Sequence, residues 1–268
     1  MDNFQVKRRL KTAVFLTFLI LCLETAGGIL ANSLALLSDA AHMFMDGFAL
    51  SLSWFAIVIS ERPSTQTKTY GYHRIEIFAA FLNGILLLFL ACGILYEAFQ
   101  RFMNPKEVES LAVVFVATAG LAINLVVIYF LRETARGRDL NLKSAFYHVL
   151  GDSLASIGVI AGGVVMFYTN WYFLDAMVGA GIALLLLWGT KTIIFDSVHI
   201  LLEGVPKGIS LSEVEKGLIS IPGIQAVHEL HIWSICSNVY ALSAHALVDD
   251  PNGRRADSML EEIKTLLR

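Results

Sequence analysis

Two short segments of the chain carry the residues best suited to chemistry: His42-Met43-Phe44-Met45-Asp46 and His148-Val149-Leu150-Gly151-Asp152. Both read His-x-x-x-Asp. Residues four apart on a helix share a face, with Cβ atoms about 6 Å apart. Each segment therefore offers an imidazole and a carboxylate side by side. Bringing the two faces together yields two nitrogens and two oxygens, a set that suits tetrahedral zinc. One such pair alone is a weak signal, but two identical pairs in separate apolar stretches are a strong one. Two other readings compete: each His bonds only the Asp of its own helix to satisfy packing, or the quartet relays protons without a metal.

The elements that position these residues follow from composition. The chain has 268 residues, 56% hydrophobic and 16% charged, whereas soluble domains carry roughly 45–50% apolar and about 25% charged residues. The excess points to a bilayer. The net charge of −3 says nothing about nucleic acid, but there is no basic cluster with interleaved aromatics, and no nucleic-acid partner is expected. Cys22, Cys92 and Cys236 are far apart and imply neither a disulfide framework nor a thiolate metal site. The first apolar run is too long for a cleavable signal peptide. Six stretches reach the roughly 20 apolar residues of a span, at about 12–31, 34–59, 76–100, 111–131, 144–168 and 173–200. Lys7, Arg8, Arg9, Lys11, Arg62, Lys68, Arg74, Arg132, Arg136, Arg138 and Lys143 fall on one side, and only Arg101 and Lys106 on the other. That bias places both termini in the cytoplasm, in a multi-pass protein of the cell (inner) membrane.

The expected fold is an all-α membrane domain of six transmembrane helices over residues 1–204, then a small α+β cytoplasmic domain over 205–268. In the latter, Ser210 caps a helix to Ile219, and Pro222-Gly223 breaks the chain. Strands follow at 225–235 and 238–248, with Val239, Ala241, Ser243, His245 and Leu247 on one face. An amphipathic helix at 255–268 completes an αββα order. This suggests a ferredoxin-like unit whose last strand is missing. Other polar residues in the spans have less specific readings. Glu24 and Asp39 either support the His/Asp ligands from behind, line a water-filled vestibule, or are buried hydrogen-bonded acids. Asn83 and Asn124 suit interhelical hydrogen bonds, Lys191 and Asp196 neutralise one another, and Gly158 with Gly162 permits close helix packing. The two pairs differ in depth: Asp46 is about 14 residues from the inner end of its span and Asp152 about 8 from the start of its own, roughly 21 against 12 Å. An earlier start of the fifth span, near Asn141, or a protruding second span reconciles them.

Further motifs carry a family resemblance. Asn32-Ser33-Leu34-Ala35-Leu36-Leu37-Ser38-Asp39-Ala40-Ala41-His42, Gly71-Tyr72-His73-Arg74, the His148–Asp152 segment and His228-Glu229-Leu230-His231-Ile232-Trp233 closely resemble the cation diffusion facilitator family of zinc transporters. The resemblance implies a homodimeric metal/proton antiporter with a six-helix membrane domain and a cytoplasmic ferredoxin-like domain. It implies that His42, Asp46, His148 and Asp152 form the transport site, in the combination that goes with zinc. It also implies an ion pair between Arg74 and Glu203 near the dimer interface. Three departures matter. Residues 132–143 hold no histidine, where many relatives have a His-rich loop. The loop after the second span has no acid between Glu61 and Glu76, leaving His73 alone at a possible loop site. The absent last strand leaves His228 and His245 as possible ligands of a cytoplasmic site, or as strand-face histidines in a dimer interface. His231 reads as structural, and His199 matches none of the family's ligands.

These readings converge on a secondary transporter that exports zinc, its cargo and only metal, in exchange for protons, with no organic cofactor. Its partners are the ion, protons, lipid and a second copy of the chain. The alternatives are export of cadmium, cobalt, iron or manganese, or a metal-ordered sensor or scaffold. An enzyme is disfavoured. Four protein ligands leave no open zinc position, and no HExxH motif exists.

Overall fold

The computed structural model describes residues 3–135, 140–236, 239–249 and 256–266. Six long helices come first: α1 (Asn3–Leu30), α2 (Leu34–Ser60), α3 (Arg74–Met103), α4 (Ser110–Ala135), α5 (Leu140–Thr169) and α6 (Phe173–Leu201). Then come α7 (Leu211–Ile219), β1 (Ile224–Cys236), β2 (Val239–Val248) and α8 (Ala256–Leu266). Among the described residues, helices α2 to α6 are long and apolar enough to cross a membrane, and α1 carries an apolar stretch at Val14–Leu30. Large apolar side chains point outward, among them Phe115 at 72% and Trp188 at 76% exposure. In water such a surface would drive aggregation; against lipid it costs nothing.

The chain divides into two compact units, Met1–Ser51 with Gly84–Lys191, and Leu52–Asn83 with Thr192–Arg268. In the first, α4 packs along α1 and α5, around Val127 and Val149 with Leu16, Ile128 and Phe146 against them. Close approach depends on Gly163, where an added Cβ would lie 2.8 Å from Val114 Cγ2. The expected Gly158–Gly162 step is only half correct. A Cβ added to Gly162 would lie 3.2 Å from Val178 Cγ2, but Gly158 faces open space, because the helix turns its tight face toward Gly163 instead. Helix α5 begins at Leu140, four residues before the span that hydropathy predicts, because polar Asn141 and Lys143 extend it past the apolar core. Asp152 is then 12 residues from its start and Asp46 14 from Ser60, about 18 and 21 Å. The mismatch in depth largely disappears.

In the second unit, Ser210 N-caps α7, its Oγ accepting from Glu213 N at 3.4 Å. Gly223, at φ 103, makes the break after α7. Strands β1 and β2 pair antiparallel as a two-stranded sheet, with His228 opposite His245 and His231 opposite Ser243. A bulge between them places Glu229 at φ 49. The small core joins Leu218, Ile221, Ile224 and Val227 to Val214, Leu230, Ala244 and Ile263. The β2 face anticipated from alternation is largely the open one, with Val239, Ser243, His245 and Leu247 exposed. Asp196 pairs with Lys207 (2.6 Å), because it lies near the helix end where that lysine returns. The buried Oδ1 of Asn83 has no hydrogen-bond partner among the described residues.

Candidate functional site

Helices α2 and α5 bring the two His-x-x-x-Asp pairs together within the first unit. His148 Nε2 lies 3.2 Å from Asp46 Oδ2, across the helix boundary. Within each helix, His42 Nε2 is 3.6 Å from Asp46 Oδ2, and His148 Nε2 is 3.8 Å from Asp152 Oδ2. The imidazole rings meet edge to face, with centroids 6.0 Å apart. Asp46 Oδ2 is thus faced by both Nε2 atoms, yet it is buried and no aligned hydrogen bond from the described residues reaches it. His42 Nδ1 is likewise buried without a hydrogen-bond partner among the described residues. Exposure of the side chains runs from 9% for Asp152 to 47% for His148, so the site is walled on one side and reachable from another. Among the described residues no three His, Cys, Asp or Glu side chains are already closed to metal-holding geometry. The side chains instead make pairwise contacts of 3.2 to 3.8 Å.

Two acids lie behind this quartet. Glu24 is 1% and Asp39 3% exposed, and Glu24, Asp39 and Asp152 are near enough to feel one another's charge. Glu24 packs where α1 meets α4: a Cβ added to Gly120 would lie 2.8 Å from Glu24 Oε1. Its Oε2 and Asp39 Oδ1 have no hydrogen-bond partner among the described residues. Buried carboxyls left unmatched are expensive, which marks the surroundings of the quartet as more than packing.

The remaining candidates are dispersed. His228 and His245 are opposed in the sheet, and His245 Nδ1 lies 3.6 Å from Glu229 Oε2 with both side chains exposed. His73 and His231 are exposed. His199 closes the end of α6, its Nε2 2.9 Å from Val205 O. Cys236 is buried; burial and the nearby Glu76 charge push its thiol pKa up. A thiol so disfavoured as thiolate is a poor metal ligand.

Arg74 Nη2 donates to Glu203 Oε1 at 2.7 Å. Glu203 has φ 60, where Gly204 N donates to His199 O and Glu203 N to Ile200 O as α6 closes. Glycine normally takes that position, and a side chain there costs roughly 1–2 kcal/mol. An exposed ion pair returns about 0–1 kcal/mol, so the pair does not repay its backbone. Its value must lie in position. Glu203→Gly is expected to raise thermal stability while lowering transport. Charge reversal at Arg74 should impair transport, and reversal at Glu203 as well should restore part of it. A double reversal no better than the worse single would show that the two are not partners.

Asp175 is a residue that the sequence conceals. It is 1% exposed and accepts from Ser33 Oγ at 2.6 Å. An acid in the first turn of a helix reads as an ordinary solvated terminus, and only its burial reveals otherwise.

Known proteins are similar to the chain along most of its length. Residues 10–202 match the Cation efflux transmembrane domain, and residues 206–268 match the Cation efflux protein, cytoplasmic domain. The metal cation efflux system protein CzcD of Cupriavidus metallidurans is 40% identical over 261 residues, 97% of this chain and 82% of its own. A cadmium, cobalt and zinc/H(+)-K(+) antiporter of Bacillus subtilis is 39% identical over 229 residues, 85% of this chain and 74% of its own. The zinc transporter ZitB of Escherichia coli is 34% identical over 261 residues, covering 97% and 82%. This chain belongs to the cation efflux family: it is a multi-pass membrane transporter of divalent metal ions, not an enzyme.

Proposed function

We propose that this transporter exports zinc from the cytoplasm in exchange for protons, with His42, Asp46, His148 and Asp152 as the transport site. The observation that carries the reading is Asp46 Oδ2, buried, unbonded and faced by two imidazole nitrogens at 3.6 and 3.2 Å. A divalent cation among these atoms would satisfy all of them. Two imidazoles and two carboxylates favour zinc over harder ions, and relatives named as zinc transporters point the same way.

Proton exchange follows from the ligands. Zinc binds deprotonated imidazole, so loading releases protons and protons displace zinc. In this reading α1 to α6 make six spans over residues 1–204, both termini are cytoplasmic in the inner membrane, and 205–268 is a ferredoxin-like dimerisation domain. The site alternates between the two sides as the helices rock around it. Exchange of one proton per zinc moves one net charge, worth about 2.3 kcal/mol per 100 mV; two protons would be electroneutral.

The test is zinc flux in proteoliposomes carrying the purified full-length protein. An acid-inside gradient should drive zinc uptake, a protonophore should abolish it, and His148→Ala should remove it at equal protein. Parallel assays with cadmium, cobalt and manganese, and with potassium gradients, report cargo and counter-ion. Zinc flux indifferent to the pH gradient would overturn proton exchange. A strong preference for another metal would overturn zinc as cargo.

A further inference from the structure

Helix α1 ends and α2 begins within three residues. Asn32 takes φ 52, Asn32 N donates to Ile29 O at 3.3 Å, and Ser33 N to Gly28 O at 2.9 Å. This arrangement satisfies the last carbonyls of α1. Ser33 then opens α2, its Oγ accepting from Leu36 N at 3.2 Å. A second cap arrives from elsewhere in the chain. Asp175 of α6 accepts from Ser33 Oγ and from the backbone N–H groups of Leu34 and Ala35. Arg101 of α3 completes the group. Its Nη1 donates to Asn32 O at 2.6 Å and its Nη2 to Asn32 Oδ1 at 3.1 Å, while Nη1 lies 3.8 Å from Asp175 Oδ2. Glu97 Oε1 accepts from Arg101 Nε and Lys106 Nζ, both at 2.9 Å. One turn beyond Asp175, Gly179 lets the α6 backbone close on α2: a Cβ there would lie 3.1 Å from Leu34 Cγ.

Helix capping alone does not require this. Ser33 already serves as the cap, and buried ion pairs are replaceable by apolar packing at little cost in stability. What the cluster adds is a fixed direction. His42 lies eight residues beyond Leu34, about 12 Å along the helix. A tilt of about 10° at the first turn moves it by about 2 Å, whereas metal–ligand distances tolerate about 0.2 Å. We infer that Asp175, held by Arg101, is a positioning residue for transport: a cap supplied by α6 that sets where His42 and Asp46 stand relative to α5. The inference rests on the reading of that pair as transport ligands.

The experiment uses full-length protein with Asp175→Ala, Asp175→Asn and Arg101→Lys. Zinc uptake into proteoliposomes gives KM and the maximal rate per folded protein. Spin labels at exposed Leu50 and Leu154, in a background without the native cysteines, report the α2–α5 distance without metal. Asp175→Ala should raise KM about tenfold and shift or broaden that distance. Asp175→Asn should fall between it and the native protein, since it keeps an acceptor for Ser33 but loses the charge toward Arg101. Arg101→Lys should also raise KM, because an ammonium cannot bridge both Asn32 oxygens as the guanidinium fork does. An unchanged KM and distance, with only less folded protein, would reduce the cluster to a structural role and overturn the inference. Should Asp175→Ala not fold, the two conservative variants decide by the same readings. If native protein takes up no zinc, the transport reading fails, and the spin-label distance still judges the positioning.

Discussion

Replacing Asp46 by Asn is expected to lower zinc transport at least about a hundredfold. Loss of a group that merely orients a metal ligand commonly costs about 10- to 100-fold, and a ligand contributes more. Asp46 is the residue both imidazoles face, with His148 Nε2 at 3.2 Å and His42 Nε2 at 3.6 Å from one oxygen. Asparagine keeps the volume and one carbonyl oxygen, so packing of α2 should survive. It removes the charge that offsets a divalent cation, and it can turn an amide N–H toward the ion. Glu24 and Asp39 are buried. The measurement is the initial rate of zinc uptake in proteoliposomes, normalised to folded protein. A variant that retains more than about a tenth of the native rate would remove Asp46 from the ligand set.

How much of this was legible in the sequence depends on the range of the interaction. The His-x-x-x-Asp pairs were legible because the helical period is local: four residues place two side chains on one face whatever lies beyond. The end of α7 and its Ser210 cap were legible for the same reason. The start of α5 was legible only through the mismatch in depth, which offered an earlier start near Asn141 as one of two remedies; hydropathy alone marks the apolar core and ignores the polar turn that continues the helix. Gly158 and Gly162 carry a spacing that permits close packing, but which face meets a neighbour depends on the partner, and α4 meets Gly163. Asp175 was the least legible. Its contact with Ser33 joins residues 142 positions apart, and no local pattern distinguishes it from a solvated first-turn acid. Glu203 was visible as a charge, but its left-handed backbone was not, because helix closure at that residue is normally announced by glycine.

His42→Asp is expected to relax metal choice while keeping transport. The substitution exchanges a borderline imidazole for a hard carboxylate, which shifts preference toward harder ions such as Mn²⁺. It also adds a negative charge beside Asp46 and withdraws the side chain, because aspartate is shorter than histidine. His42 Nε2 now stands 3.6 Å from Asp46 Oδ2, and the shorter residue widens that gap enough to favour a larger ion such as Cd²⁺. The remaining imidazole, His148, still reaches Asp46 and keeps one nitrogen in the set. The preference for zinc over cadmium should therefore fall by about tenfold, equivalent to about 1.4 kcal/mol, with the maximal rate for zinc less affected. Competition uptake in vesicles, with both ions present and each measured separately, gives the ratio directly. A zinc preference unchanged by the substitution would mean that the imidazole of His42 does not set the filter. The choice among metals would then have to come from the room around Asp152, the most enclosed of the four side chains.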